Sequence, residues 1–170
     1  RTKSYGAEVV LHGDVYDDAC AYAMKLAEEE GYTFVQPFDD LDVATGQGSI
    51  AMEIFEELPD VDYILAPIGG GGLITGVSTL TKMLNPNVKV IGVEPAAAAS
   101  MTEALKERHP VTLASANTIA DGTAVKRVGE KIFPYAEKNI DEVITVADDD
   151  LIGAFLDVVE NHKMIVENSG

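Results

Sequence analysis

The clearest chemical signal in the sequence is the run Ile68-Gly69-Gly70-Gly71-Gly72-Leu73. It lies between an apolar stretch, Tyr63 to Ala66, and a helical pattern from Leu73 to Leu84. Ordering a glycine costs roughly 0.5–1 kcal/mol more than ordering alanine, so consecutive glycines need a reason. A flexible linker is a poor one, because strand-to-helix turns are short and ordered. Two uses remain: a tight turn with torsions closed to other residues, or close approach of a ligand to bare N–H groups. At the start of a helix such groups add to the helix dipole and form a cup for an anion, with phosphate the natural guest. The nucleoside-triphosphate loop is ruled out, since Gly71 and Gly76 have its spacing but Val77 stands where lysine is required. The dinucleotide pattern fails too, because Gly69 and Gly71 are followed by Ile74. A looser match, Gly46-Gln47-Gly48-Ser49-Ile50-Ala51, opens a helical pattern but follows an acidic segment instead of a strand.

Other chemistry-bearing residues are scattered. His12, His109 and His162 have no ligand spacing, and Cys20 has no partner cysteine. Glu28-Glu29-Glu30 and Asp148-Asp149-Asp150 suit helix ends and solvated faces better than a calcium site.

The elements that would position the glycine run alternate between strand and helix. Val9-Val10-Leu11 and Thr33-Phe34-Val35 read as short strands. Tyr16 to Gly31 reads as a helix, capped by Asp14, with Asp17 and Asp18 in its first turn and Gly31 at its end. Gly48 to Leu58 reads as a second helix with Ile50, Ile54, Phe55 and Leu58 inward, stopped by Pro59. Tyr63 to Ala66 suits a strand covered on both faces. Val88 to Val93 and Val143 to Val146 are further strands; Ala97 to Glu107, Val128 to Lys138 and Asp148 to Asn161 are helices. This alternation predicts an α/β fold with a parallel twisted sheet, flanking helices and ligands at the carboxyl ends of the strands. Gln36 to Thr45 is the best place for a crossing between lobes.

Composition narrows the function classes. Twelve Lys and Arg face 29 Asp and Glu, a net charge of −17, which argues against a nucleic-acid surface. No apolar run approaches the roughly 20 residues of a membrane-spanning helix, so a soluble, cytoplasmic protein is expected. With 46% hydrophobic residues the chain can bury a core. It starts at Arg1 without Met and stops at Gly170 after an apolar run, which reads as a piece excised from a longer polypeptide.

Several motifs in order carry a resemblance: Ser4-Tyr5-Gly6-Ala7-Glu8-Val9, Thr45-Gly46-Gln47-Gly48-Ser49-Ile50, the glycine run followed by Thr75-Gly76, and Ile119-Ala120-Asp121-Gly122-Thr123-Ala124-Val125. Together they resemble the pyridoxal-phosphate enzymes of the tryptophan-synthase-β type. Within that superfamily the chain is similar to the threonine dehydratases (threonine ammonia-lyases), with serine racemases and serine dehydratases as close relatives. His109-Pro110-Val111 and Ala124-Val125-Lys126-Arg127 lean toward the threonine enzymes.

The resemblance implies part of a tryptophan-synthase-β-like fold. Residues 1–36 would be the remnant of a smaller lobe, and 37–170 the central part of the larger, phosphate-binding one. It implies pyridoxal 5'-phosphate as cofactor, an amino-acid substrate and a homo-oligomer. Gly69, Gly70, Gly71, Gly72 and Leu73 would hold the cofactor phosphate, Gly122 would pack against the pyridine ring, and Glu167 would lie near it. The parent reaction would turn L-threonine into 2-oxobutyrate and ammonia. The lysine that bonds the cofactor belongs to a Ser-x-Lys-x-Arg context, which none of the nine lysines here has. The piece alone is therefore expected to be inactive, and an excised parallel sheet to self-associate through open edges. Some relatives place a divalent cation at positions matching Glu94, Ala98 and Ser100; the serine stands where they carry an aspartate, so no metal is assigned. From a different functional class, a non-catalytic phosphate- or nucleotide-binding α/β module remains an alternative.

Overall fold

The computed structural model describes residues 1–13 and 16–170, and of Tyr16 and Asp17 the backbone alone. The cap expected from Asp14 lies outside these residues, as does the side chain of Asp17. Two compact units follow each other along the chain, Arg1–Gln36 and Pro37–Gly170.

The first unit is built around helix α1, Tyr16–Glu30, whose end is marked by Gly31 in a left-handed conformation. Tyr22, Ala23, Leu26 and Ala27 form its half-buried stripe, and none of the unit's described residues is fully buried. The rings of His12 and Tyr22 stack at 4.1 Å. Val9-Val10-Leu11 and Thr33-Phe34-Val35, both expected as strands, are irregular and pair with no strand among the described residues. A β-branched run becomes a strand only when a neighbour completes its ladder, and Leu11 and Val35 stay exposed instead.

The second unit carries the sheet. Its elements are α2 (Leu41–Gln47), α3 (Ser49–Glu57), β1 (Tyr63–Pro67), α4 (Gly72–Leu84), β2 (Lys89–Pro95), α5 (Ser100–Glu107), α6 (Phe133–Asn139), β3 (Glu142–Val146) and α7 (Asp148–Asp157). The strands pair in parallel in the order β1-β2-β3, with Leu65 opposite Ile91 and Val93 opposite Ile144. Alternation of strand and helix thus produced the parallel α/β sheet that it predicts. No helix is long and apolar enough to cross a membrane among the described residues.

One core forms from Ala66, Ile68, Ile74, Val90, Met101, Val128 and Phe133, and a second from Ala51, Ile64, Val77 and Val88. Both draw on α4, which alternates between them along its length. The other side of β1 is open: Tyr63 is 62% and Leu65 59% exposed, so this strand is covered on one face only. Its uniformly apolar sequence carries no mark of which face is covered.

Three elements differ in detail from the sequence pattern. The second half of the Gln36–Thr45 segment is helical, because Asp40 Oδ1 accepts the N–H groups of Asp42 (2.8 Å) and Val43 (3.2 Å) and caps α2. In α3 the inward residues are Ala51, Ile54 and Phe55, while Ile50 and Leu58 face out; the small Ala51 fits close packing where Ile50 would not. Helix α6 begins at Phe133 and not at Val128, so Pro134 lies in its first turn, where its missing N–H costs nothing.

Candidate active site

The glycine run leaves β1 and enters α4 at the carboxyl end of the sheet. Gly71 is the N-cap of α4 and has φ of 96°, a left-handed conformation that side chains resist. Gly70, Gly71 and Gly72 are buried, Gly69 and Leu73 partly so. Leu73 points its side chain into the second core, beside Val77 and Leu80.

The protein is packed tightly around these Cα atoms. A Cβ at Gly69 would lie 3.2 Å from Gly122 O and from Thr123 Cα; at Gly71, 2.7 Å from Ile132 Cδ1; at Gly72, 2.8 Å from Phe38 Cα and O. At Gly70 it would collide with the ring of Phe38. The loop carbonyls are used: Gly70 O accepts from Gly129 N and Gly71 O from Thr75 N, both at 3.0 Å.

The amides are not used. From Gly69 to Ile74, no backbone N–H has an acceptor among the described residues. Buried donors left without a partner cost about 1–3 kcal/mol each, and native proteins avoid them unless something else accepts the bonds. Six consecutive donors at a helix N-terminus, with no cationic side chain among them, fit a phosphate dianion held by backbone alone. The residues present therefore fit the phosphate of the cofactor that the motifs imply. The hydroxyl of Thr75, buried in the first turn of α4, is also unpartnered among the described residues.

The second expected turn touches the first. Asp121–Thr123 forms a 3₁₀ turn closed by Thr123 N and Thr123 Oγ1, both donating to Ala120 O at 3.0 Å. A side chain at position 69 would press on this turn at 3.2 Å, so glycine there lets it approach without a shift. The segment before it is tethered from α7: Asp148 Oδ1 accepts from Thr118 Oγ1 at 2.6 Å, and Asp148 Oδ2 from Ile119 N at 3.1 Å. Asn168 Nδ2 adds a bond to Ile119 O at 3.2 Å. Glu167 folds back over the same turn. Its Oε1 accepts from Ser169 N and Ser169 Oγ at 3.0 Å and would lie 3.5 Å from a Cβ at Gly122. The structure therefore brings the glycine run, Gly122 and Glu167 together from three separate parts of the sequence. Next to them, at the strand ends, a cavity of about 240 Å³ is lined by Pro67, Val93, Ala120, Thr123 and Ser169, among others.

Glu94, Ala98 and Ser100 have another arrangement. Glu94 is 1% exposed; its Oε1 accepts from Met101 N at 2.6 Å, and its Oε2 from Thr102 N (3.0 Å) and Thr102 Oγ1 (2.8 Å). Both oxygens thus satisfy the first turn of α5. Burial pushes the Glu94 carboxyl above the usual carboxylate range, against the pull of these bonds. Ala98 and Ser100 are buried, and Ser100 Oγ has no partner among the described residues. No cluster of three or more His, Cys, Asp or Glu able to hold a metal occurs among the described residues.

Phe38, Asp39 and Gly129 are site residues that the sequence pattern did not single out. The signal for the first two was present, as an aromatic and two acids just after Pro37, but nothing local shows that the ring would lie on glycines more than thirty residues away.

Similarity to known proteins agrees with this geometry. The family model of pyridoxal-phosphate dependent enzymes matches residues 1–170, so the chain belongs to that family. It is 46% identical over 169 residues to an L-threonine ammonia-lyase of Geobacter sulfurreducens, covering 99% of this chain and 42% of that one. Its fold superposes on the processed form of threonine deaminase isoform 2 from Solanum lycopersicum with a TM-score of 0.94 at 44% identity, over 98% of this chain and 49% of that one. A serine racemase from Dictyostelium discoideum matches with a TM-score of 0.87 at 35% identity, over 98% of this chain and 53% of that one. The chain spans 28–42% of the length of the curated threonine dehydratases and ammonia-lyases that it matches.

Proposed function

We propose that the full-length protein containing this chain converts L-threonine to 2-oxobutyrate and ammonia, and L-serine to pyruvate and ammonia, with pyridoxal phosphate as cofactor. The observation that carries this is the set of six unpartnered amides, Gly69 to Ile74, placed against the Gly122 turn. The bound cofactor supplies the electron sink that stabilises the pair left on the substrate Cα when its proton departs. The chain's own part is to bind and orient. Gly69 to Leu73 hold the phosphate, the Gly122 turn packs against the ring, and Glu167 sets a carboxylate beside it.

The relatives named for threonine deamination support the choice of substrate. The division at Gln36 supports taking 1–36 as part of a smaller lobe and 37–170 as the centre of a larger one. The proposal extends to a cytoplasmic homo-oligomer. The likeness to a serine racemase favours one second reading, in which the product is D-serine. Purified full-length protein supplied with cofactor distinguishes them. Release of 2-oxobutyrate from threonine supports the lyase, D-serine from L-serine supports the racemase, and neither product sinks both.

A further inference from the structure

Phe38 occupies the space where the glycine run would otherwise carry side chains. Its ring lies against Gly70, and its Cα and carbonyl oxygen lie where a Cβ of Gly72 would sit, at 2.8 Å. The ring is half-buried, and the backbone that follows it is firmly held. Asp39 Oδ1 accepts from Lys131 N at 2.8 Å and from Ile132 N at 3.4 Å, just ahead of α6. Asp40, one residue further on, caps α2. Gly129, whose Cβ would collide with the Asp39 carboxylate, donates its N–H to Gly70 O at 3.0 Å. The glycine run is therefore gripped by the Gly129 N–H, which donates to the Gly70 carbonyl, and by the ring of Phe38. Neither contact uses an amide of the run.

Four glycines between a strand and a helix have wide conformational freedom, and six amides converge on one anion only if that freedom is removed. We propose that Phe38 is a positioning residue for the cofactor phosphate: it fills the side-chain side of Gly70 and Gly72 and so holds the loop amides in the binding arrangement before the phosphate arrives. This rests on the phosphate assignment made above. Pre-organisation of this kind acts on affinity for the phosphate group and not on the rest of the cofactor.

The test compares two probes, pyridoxal 5'-phosphate and pyridoxal, titrated against the apo form of the full-length protein. Phe38→Ala is expected to weaken binding of the phosphorylated probe by about tenfold or more while changing pyridoxal affinity by less than about twofold. Phe38→Leu, which keeps a branched apolar side chain on Gly70, is expected to stay within about threefold of the parent for both probes. Should Phe38→Ala fail to fold, Asp39→Ala carries the same test, because it frees the Phe38 backbone without deleting the ring. A folded variant that loses both probes equally, or neither, overturns the positioning role. A parent protein that binds pyridoxal as tightly as its phosphate overturns the phosphate assignment itself, a separate outcome.

Discussion

The two ends of the sheet solve opposite problems. At the carboxyl end, six amides lead into α4 with no acceptor and no answering side-chain charge among the described residues. At the amino end a cluster of charges is answered. Asp141 accepts from Lys82 Nζ at 2.6 Å, Lys89 Nζ at 2.9 Å and Val90 N at 2.8 Å, while Lys82 Nζ also donates to Val88 O at 2.7 Å. This cluster ties the last turn of α4 to the edges of β2 and β3. One helix thus has a satisfied end that fastens it and an unsatisfied end free to bind. The separation is instructive: a polar group left open for a ligand weakens the apo fold, and the neighbouring end compensates with bonds that no ligand needs.

Substitutions at the two ends should therefore fail in different ways. The largest effect is expected from Gly71→Ala. The left-handed backbone costs about 1–2 kcal/mol for alanine, and overpacking against Ile132 adds about 1–3 kcal/mol. Chemical denaturation of the full-length apo protein should show a loss within that summed range, and cofactor titration a fall of about a hundredfold or more. An unchanged cofactor affinity would break the contrast between the ends.

Asp141→Asn should do the reverse. Burial works against its charge, but Lys82, Val90 N and Lys89 together hold the Asp141 carboxyl down at about 2. Discounted for solvent screening at this exposed residue, the shift corresponds to about 1 kcal/mol of stability. Thermal unfolding should register it while cofactor affinity stays level.

The pH dependence sharpens the point because the ion-paired carboxyl of Asp141 and the buried carboxyl of Glu94 have opposite signs. Asp141 binds its proton more weakly in the folded protein than in the unfolded chain. Its contribution is present above about pH 4 and is lost as the pH falls toward 2. Glu94 binds its proton more tightly when folded, so its effect runs the other way: stability falls as the pH rises through the window above the ordinary value for glutamate. Unfolding free energies of Asp141→Asn and Glu94→Gln, measured against the parent from pH 3 to 7, should diverge from it in opposite directions. Parallel curves would contradict the assignment.

The smallest effect belongs to Lys89→Ala. Its side chain is 54% exposed, and Lys82 remains on the same carboxylate, so about 0.5 kcal/mol or less is expected in the same unfolding assay.

How much of this was legible in advance depended on how local each signal is. The glycine run, the Ala120-Asp121-Gly122 turn and the strands of the sheet are written in short stretches, and their order along the chain matches the structure. Two expected strands, Val9 to Leu11 and Thr33 to Val35, are irregular because strand identity depends on a partner that the run itself cannot specify. Helix α2 escaped notice because Gly46 and its short length weaken the pattern, and a single carboxylate, Asp40, decides it. The cation positions were matched by sequence spacing. In the fold, the Glu94 carboxylate instead serves the α5 amides.

The amino-acid sequence alone determined which residues lack side chains between Ile68 and Leu73, which suits an anion because bare amides before a helix have few other uses, and the order of its motifs carried the family resemblance. Only the tertiary structure decided that Phe38 lies on those glycines, that Gly122 and Glu167 meet beside them, and that Asp141 locks the far end of α4. Chain-local chemistry can be read from neighbours in sequence. Contacts between residues dozens of positions apart depend on how packing closes the chain, and that is settled by the fold as a whole.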